Sequence, residues 1–186
     1  FQNSRIKKDL SLVVVDSQIL FGNELIFPLG PLREPIQSGL SRADAIVLID
    51  YNPSVINSKI NKLKRDYKVQ FLDGLVNEKK ISKYSSNKKV LAFSGIAFPE
   101  KFHNSLKRLK YTIVKTKVFP DHYPFTIKDI LKLKKLAESK NLQLITTEKD
   151  MVRIPKIFHE YIDQIQIKFK FKNPEKIKEL IRKKLC

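Results

Sequence analysis

The sequence predicts a layered α/β fold with parallel strands. Short apolar runs alternate with segments that carry apolar residues at helical spacing, and this alternation is typical of parallel sheets whose strands are joined by helical crossovers. Residues 45–49 are all apolar, as expected for a strand covered on both faces. With 186 residues, 42% of them hydrophobic, the chain can bury one core or two small ones.

The elements can be assigned in order along the chain. The first half opens with a β-branched strand that ends at Asp16 and continues through a Gly- and Pro-rich passage over residues 21–35. Pro53 suits the first turn of a helix. We predict strands at 12–15, 45–49, 69–72 and 90–93, a short helix that ends at Leu40, a helix over 53–67 and a polar loop over 77–89.

The second half repeats the alternation. One helix should begin at Thr126, because a Thr hydroxyl caps the free N–H groups of a first turn, and Asp129 places a carboxylate in that positive turn. We predict helices at 99–109, 126–140 and 175–185 and strands at 112–118, 142–146 and 165–171.

The chain is strongly basic. Its 37 Lys and Arg residues outnumber its 19 Asp and Glu residues, which gives a net charge of +18. A positive field of this size attracts anionic partners, either nucleic acid or the head groups of an acidic membrane. The lysines are dispersed rather than interleaved with Arg and aromatic residues, which favours a solvated surface. Two alternatives stay open: a basic nucleic-acid-binding module, and a protein of anionic membrane surfaces without chemistry.

The cysteine, histidine and apolar residues of the sequence argue against disulfides, a zinc site and a membrane span. Cys186 is the only cysteine, so no internal disulfide can form and a reducing compartment is indicated. Three widely spaced His residues without a usable Cys do not predict a zinc site. No apolar run reaches the roughly 20 residues that span a bilayer. The chain begins with Phe1 rather than Met, and we expect it to be a piece of a longer protein.

Four segments lie just before or just beyond predicted strands, where open α/β sheets build ligand sites. They are FQN at residues 1–3, GPLREP at 30–35 continuing through GLSRADA at 39–45, FPDHYPF at 119–125, and TTEKD at 146–150 with Arg153 at its end. The residues of these segments are unlike those of an ordinary core or surface, and each segment is a candidate for a catalytic or binding role.

The second segment sets Arg33 and Glu34 between two prolines and a glycine. A carboxylate on so rigid a loop can ligate Mg²⁺ or its shell of waters, and the planar guanidinium beside it can contact phosphate. A structural turn with a solvated ion pair would have the same letters. The residues alone leave both interpretations open.

His122, in the third segment, lies between a strand and a helix, beside Asp121 and between aromatic residues. An imidazole there can accept or relay a proton near neutral pH, or it can simply be hydrogen-bonded in a turn. In the fourth segment Thr146 and Thr147 end a strand before a helical turn. A Thr N-cap followed by acids explains those letters on structural grounds as well as a functional role does.

Taken together, these segments resemble a known family. In order, GPLREP, GLSRADAIVL, VLAFSGIAFPEKF, FPDHYPF and LITTEKDMVRIP are similar to the successive landmarks of the tetraacyldisaccharide 4'-kinases. Five motifs in order are highly specific, and the resemblance covers nearly the whole chain. It implies a P-loop-kinase-like parallel-sheet architecture without its N-terminal nucleotide-binding strands. Residues 1–50 would be the remainder of that N-terminal domain, and 51–186 a C-terminal α/β domain.

The resemblance implies an activity and roles for single residues. The family transfers the γ-phosphate of ATP, with Mg²⁺, to the 4'-hydroxyl of a tetraacylated glucosamine disaccharide 1-phosphate in lipid A biosynthesis. Residues 1–3 match the end of its Asp-Asp-Gly-Phe-Gln-His motif, with Asn in place of the His. By this match Gln2 and Glu34 would support the Mg²⁺ shell and Arg33 would face phosphate. His122 would assist deprotonation of the sugar hydroxyl.

The resemblance places other parts of the enzyme upstream of this chain. These are the Gly-rich phosphate-binding loop, the metal-binding aspartates, the acid that partners the catalytic His, and a membrane-anchoring helix. Tyr123 stands where the family commonly has a second His. We therefore expect the chain to be inactive alone and to need the missing N-terminal half. Its expected partner is an anionic glycolipid at the cytoplasmic face of the bacterial inner membrane, and no nucleic acid is expected.

Overall fold

A computed structural model describes residue 5 and residues 7–50, 58–81 and 89–185. Its elements are β1 (Leu12–Asp16), α1 (Ile36–Leu40), β2 (Ala45–Ile49), α2 (Ser58–Asp66), β3 (Gln70–Ile81), β4 (Lys89–Ser94), α3 (Pro99–Arg108), β5 (Thr112–Val118), α4 (Ile127–Glu138), β6 (Gln143–Thr147), α5 (Glu148–Met151), β7 (Ile162–Phe171) and α6 (Pro174–Leu185). The chain divides into two compact units. Unit 1 consists of Phe1–Asn77 and Phe169–Cys186, and unit 2 of Glu78–Lys168.

Unit 1 is built on parallel strands in the order β1-β2-β3, with the end of β7 next to β3. The central strand β2 is buried on both faces, because consecutive side chains of a strand point to opposite sides. Ile46 and Leu48 pack in a cluster with residues of α1 and α2. Ala45 and Val47 pack on the other face, with residues of α6.

Unit 2 has parallel strands in the order β7-β6-β4-β5. The buried strand β4 again divides two clusters. Leu91 and Phe93 pack with residues of α4, whereas Val90 and Ala92 pack with residues of α3. Helices therefore cover both faces of the sheet, which is what a parallel sheet requires.

The structure confirms the predicted α/β fold with parallel strands. The strands predicted at 12–15, 45–49, 90–93, 112–118, 142–146 and 165–171 correspond to β1, β2, β4, β5, β6 and β7. The predicted cap is also present. The Thr126 hydroxyl accepts a hydrogen bond from the Asp129 N–H, and the Asp129 carboxylate accepts one from the Thr126 N–H. This reciprocal arrangement is a capping box.

The prediction of a loop over residues 77–89 is wrong for its first part, because β3 continues to Ile81. Val76 and Glu78 are half-buried while their neighbours are exposed, so the strand periodicity persists. It is hidden in the sequence because Glu78 occupies an inward position. There its carboxylate accepts hydrogen bonds from Ser105 at 2.9 Å and from Arg108, which offset the cost of burying a charge.

Two predictions extend beyond what the structure describes. The helix predicted over 53–67 corresponds to α2 in its described part, and residues 53–57 lie outside the described residues. Residues 82–88 of the predicted loop also lie outside them. The domain boundary at residue 50 refers to a larger protein and stays a prediction.

The helices are short compared with a bilayer. The α4 and α6 helices have 12 residues each, whereas a span needs about 20. Within the described ranges, no helix combines the length and the apolar character that crossing a membrane requires.

The core of unit 2 can be tested at Ile145 of β6, which is fully buried. We expect Ile145→Ala to lower the free energy of unfolding by about 2–5 kcal/mol, since it removes buried methyl groups and leaves a cavity. Val114→Ala on β5, where the side chain is 50% exposed, is the control and should cost much less. Urea unfolding followed by circular dichroism measures both. Equal losses would contradict the assigned core.

Candidate functional site

The polar segments of unit 2 meet at one edge of its sheet. The FPDHYPF loop follows β5, Gly95 follows β4, and residues 147–153 begin at the last residue of β6. Parallel strands place their carboxyl ends at the same edge, where open α/β sheets bind ligands. Two backbone hydrogen bonds join the segments: the Phe119 N–H donates to Ser94 O at 2.8 Å, and the His122 N–H donates to Gly95 O at 3.1 Å.

The carboxylate of Asp150 holds this edge together. It is fully buried. Its Oδ2 accepts from the Gly95 N–H at 3.2 Å and from the Thr147 hydroxyl at 2.8 Å, and its Oδ1 accepts from Arg153 at 2.9 Å. A buried charge is tolerated only when it is paired and hydrogen-bonded. Thr147 also caps α5 by accepting from the Asp150 N–H at 3.1 Å, so the structural interpretation of this segment is confirmed.

Arg153 extends the network to the FPDHYPF loop. Its Nη2 also donates to Gly95 O at 3.2 Å, and its Nη1 donates to Tyr123 O at 3.5 Å. Gly95 makes the close approach possible, because a Cβ at this position would lie 3.0 Å from Pro120 O and 3.1 Å from Tyr123 Cβ. Any side chain at position 95 would therefore push against the loop.

Aromatic packing fixes the same loop. The ring centroid of Phe119 lies 4.8 Å from that of Tyr123 and 5.1 Å from that of Phe125. The ring centroids of Tyr123 and Phe125 are 5.3 Å apart. Phe125 also meets the buried Phe93 of β4 edge-on at 5.6 Å. The three contacts of Phe125 are edge-to-face, and such contacts add directional attraction to the burial of the rings. The loop is thus held by packing as well as by hydrogen bonds.

These contacts fix the backbone of His122 and leave its side chain exposed. The residue has a left-handed φ of 58°, and its N–H donates to Gly95 O at 3.1 Å and to Asp121 Oδ1 at 3.0 Å. The imidazole is 86% exposed, with Nε2 3.8 Å from Asp121 Oδ2. The hydrogen bonds of the turn are made by the backbone, so the ring is available to exchange a proton with a molecule at this edge.

Tyr123 is tied to α4. Its hydroxyl donates to Asp129 Oδ2 at 3.2 Å. Burial, and then the neighbouring Asp129 carboxylate, raise the pKa of the Tyr123 phenol, which is therefore neutral at neutral pH. The hydrogen bond from the Thr126 hydroxyl, followed by the bond from its backbone N–H, lowers the pKa of Asp129 below its ordinary 3.8. Tyr123 thus contributes to the structure of the loop through the cap of the following helix.

In unit 1 the GPLREP segment lines a cavity of about 260 Å³. Arg33 and Glu34 are its charged lining residues, and the remaining lining is Leu12, Val13, Val14, Phe21, Leu32, Pro35, Ile36, Gly39 and Leu40. Arg33 is exposed. Glu34 forms an ion pair with Arg42, whose Nη2 donates to both carboxylate oxygens at 2.7 Å. The acid of this loop is therefore engaged by a cation from the following helical turn.

The described residues do not by themselves fit a magnesium ion. Both carboxylate oxygens of Glu34 face Arg42, and the described part of the chain has no group of three or more His, Cys, Asp or Glu residues that could hold a metal. Mg²⁺ needs several oxygen ligands in octahedral geometry. Gln2, the other predicted ligand, lies outside the described residues. Its role in the Mg²⁺ shell stays a prediction.

Sequence reasoning assigned no role to Arg42 or Arg153, which the structure makes ion-pair partners. The spacing of three residues between Asp150 and Arg153 could have indicated their pair, since such positions are neighbours on a helical turn. No comparable signal links Glu34 to Arg42, because their contact depends on how the chain turns around α1.

A parallel α/β fold with polar loops gathered at the carboxyl ends of its strands is the arrangement in which open α/β proteins place their ligand sites. The family model LpxK, tetraacyldisaccharide-1-P 4'-kinase, matches residues 1–186. The chain belongs to this family.

Named relatives agree with the family model. The tetraacyldisaccharide 4'-kinase of Paramagnetospirillum magneticum is 43% identical over 155 residues, which are 83% of this chain and 46% of that protein. That of Rickettsia bellii is 39% identical over 187 residues, 98% of this chain and 55% of that protein. The chain thus spans about half the length of the curated relatives it matches.

A crystal structure of the "apo" form of LpxK from Aquifex aeolicus, in complex with ATP, has a similar fold. Its TM-score is 0.67 at 23% identity, and the match covers 100% of this chain and 55% of that chain. The predicted P-loop-kinase-like architecture is therefore supported at the level of the fold.

The Asp150–Arg153 pair leads to a stability prediction. Arg153→Met would leave a fully buried carboxylate without its cation, so we expect a loss of about 3 kcal/mol in the free energy of unfolding. This is at the low end for buried pairs because Arg153 is 23% exposed. Lys149→Met, an exposed position on the same turn, is the control. Asp150→Asn combined with Arg153→Met should recover part of the loss in urea unfolding. An Arg153→Met loss no larger than that of the control would contradict the network.

Asp129 leads to a prediction about pH. Its folded-state pKa lies below 3.8, so the charged carboxylate stabilises the fold above pH 3.8, and this contribution disappears as the pH falls through the folded-state value. Asp129→Asn should therefore be less stable than the parent chain near neutral pH, and the difference should shrink in acid. Urea midpoints at about pH 6 and about pH 3 would measure this. A difference that does not change with pH would be evidence against the charged cap.

Proposed function

We propose that this chain is the C-terminal part of a tetraacyldisaccharide 4'-kinase. In the complete enzyme it would take part in transferring the γ-phosphate of ATP to the 4'-hydroxyl of a tetraacyldisaccharide 1-phosphate. The match of the family model over residues 1–186 carries the proposal. The relatives named for this activity support it, and the structural relative in complex with ATP supports ATP as the phosphate donor.

His122 is proposed as the group that accepts the proton of the attacking sugar hydroxyl. Phosphoryl transfer depends mainly on positioning and on neutralising charge, and a base is needed where a hydroxyl attacks. The exposed imidazole on a backbone fixed by Gly95, Arg153 and aromatic packing is suited to that role. The acid that orients the ring is proposed to come from the rest of the enzyme.

Arg33 is proposed to contact phosphate. Its guanidinium is exposed at the rim of an otherwise largely apolar cavity, and the planar fork of Arg matches phosphate oxygens. The ion pair between Glu34 and Arg42 fixes the loop that presents it. Mg²⁺ enters the proposal as the ion that accompanies ATP. Gln2 and Glu34 would contribute to its shell only together with ligands from other parts of the enzyme.

The proposal includes a second part of the protein that cradles the phosphates. The 186 residues contain no GxxxxGK[ST] loop, the usual backbone cradle for ATP phosphates. The chain also spans about half of its curated relatives. Because the acceptor is an acylated disaccharide, the proposed place of action is the cytoplasmic face of the bacterial inner membrane.

Activity of fused chains tests this function. With ATP, Mg²⁺ and a tetraacyldisaccharide 1-phosphate, residues 1–186 alone should show no phosphorylation, and the same chain fused to the N-terminal half of a relative should be active. In the fusion, His122→Ala should lower kcat by about 10²- to 10⁴-fold, the usual contribution of a general base. Because the ring is 86% exposed, added imidazole should restore part of the rate.

His103→Gln on α3, at a half-buried position outside the loop, is the control and should leave kcat nearly unchanged. A fully active His122→Ala fusion would remove His122 from the mechanism. Phosphorylated product from residues 1–186 alone would overturn the dependence on a second half. An inactive fusion whose two halves both fold would count against the kinase function.

A further inference from the structure

The outer face of α4 carries an exposed apolar groove bordered by lysines. Ile127 and Leu131, one helical turn apart, are 53% and 51% exposed. They line a shallow groove together with Lys128, Lys132 and Lys135. We call this surface the α4 groove. All of its lining belongs to the described chain, and none of that lining is acidic.

The orientation of α4 is fixed by its other face. Ile130, Leu133 and Ala137 are buried in the cluster that also contains residues of β4, so the helix cannot turn to bury Ile127 or Leu131. A side chain that stays exposed in this way adds nothing to the core of unit 2. Because the two side chains are contiguous on one outward face, they form an apolar surface that a partner could cover.

The acids of α4 are engaged elsewhere. Asp129 belongs to the capping box with Thr126 and accepts from Tyr123. The Glu138 Oε1 atom lies 3.9 Å from the Nζ atom of Lys134, which is one helical turn earlier. Lys132 also helps to lower the pKa of Asp129, after the hydrogen bonds from Thr126 and Tyr123. Lys128, Lys132 and Lys135 are nevertheless all exposed, so the α4 groove presents positive charge to the solvent around an apolar centre.

We propose that the α4 groove docks the protein on an anionic lipid bilayer. Ile127 and Leu131 enter the boundary between head groups and acyl chains, and Lys128, Lys132 and Lys135 contact lipid phosphates. Helices that lie in a membrane interface combine these two features, an apolar stripe and flanking lysines. Attraction between basic residues and an anionic leaflet adds to the burial of the apolar side chains.

The composition of the groove argues against other occupants. Lysine is depleted at the centres of protein–protein interfaces, where aromatic residues and Arg are enriched, and this groove has three lysines around two aliphatic side chains. Surfaces for single-stranded nucleic acid use aromatic rings for base stacking and Arg for additional contacts. The lining of the α4 groove has neither.

The position of the groove connects it with the candidate active site, and this step rests on the proposed function. The first turn of α4 follows the FPDHYPF loop, and its Asp129 accepts the hydrogen bond of Tyr123 from that loop. A bilayer on the α4 groove therefore lies beside the loop that carries His122.

A single tryptophan can report docking directly, because the chain contains no Trp. In Leu131→Trp, emission should shift to shorter wavelength on adding vesicles of equimolar phosphatidylglycerol and phosphatidylcholine, and brominated acyl chains should quench it. Val114→Trp, at a 50% exposed position of β5 outside the groove, should show neither effect. Equal responses at both positions, or no response at Leu131→Trp, would overturn the proposal.

Vesicle co-sedimentation separates the contributions of charge and apolar contact. The triple variant Lys128→Gln, Lys132→Gln and Lys135→Gln should weaken binding to the same vesicles about 100-fold, roughly fivefold for each lysine. Its matched control removes the same charge from α6 by Lys176→Gln, Arg182→Gln and Lys183→Gln, all exposed, and should have a small effect.

The apolar pair has its own control. Ile127→Gln with Leu131→Gln should weaken binding, whereas Val114→Gln with Ile157→Gln, at positions 50% and 65% exposed, should not. Urea midpoints confirm that each variant folds, and the same measurements in the active fusion cover any variant that does not fold alone.

The outcomes are distinct. Equal weakening by the two lysine triples would show non-specific charge attraction and overturn the docking face. Loss of mixed-sequence RNA binding in the groove variants, with vesicle binding retained, would assign the groove to nucleic acid. A change of oligomeric state in the Ile127→Gln/Leu131→Gln variant would assign it to a second copy of the chain. Because the readout is vesicle binding, an inactive fusion that still docks would refute the kinase proposal alone.

Discussion

The buried carboxylate of Asp150 is the group on which the edge of unit 2 depends. Its partners come from the ends of different strands: Gly95 follows β4, and Thr147 and Arg153 lie at and beyond the end of β6. Because a buried charge without donors is expensive, these segments stabilise one another. Arg153 passes this constraint to the loop after β5 through the carbonyl of Tyr123. The position of His122 is therefore determined by the sheet rather than by the loop alone.

Much of the fold could be predicted because its signals are local. An all-apolar run of five residues identifies β2, and a Thr followed by Asp three residues later identifies the start of α4. The error at β3 has the opposite origin. Glu78 is polar in the sequence, and only its contacts with Ser105 and Arg108, far along the chain, make it compatible with a half-buried strand. Tertiary contacts overrode local composition there.

The site could be predicted only in part, because some of its contacts also depend on tertiary structure. The motif order placed His122 on a loop between a strand and a helix, and the structure shows the exposure of its ring and the left-handed backbone that presents it. The partner of Glu34 was not predictable, because its contact with Arg42 depends on a turn of the chain rather than on a pattern. Likewise, lysines that are dispersed in the sequence lie together on one outward face of α4 once the helix is formed.

The order in which the elements are synthesised follows from the path of the chain. Unit 2 is one continuous segment, whereas unit 1 is made of residues that precede it and residues that follow it. Ile177 and Leu180 of α6 complete the cluster around Ala45 and Val47 of β2. A ribosome therefore finishes all of unit 2 before it supplies the helix that closes the first core, and the apolar surface of β2 stays open during that interval. During translation unit 2 can reach its native packing first, and unit 1, although it is begun earlier, must be completed last.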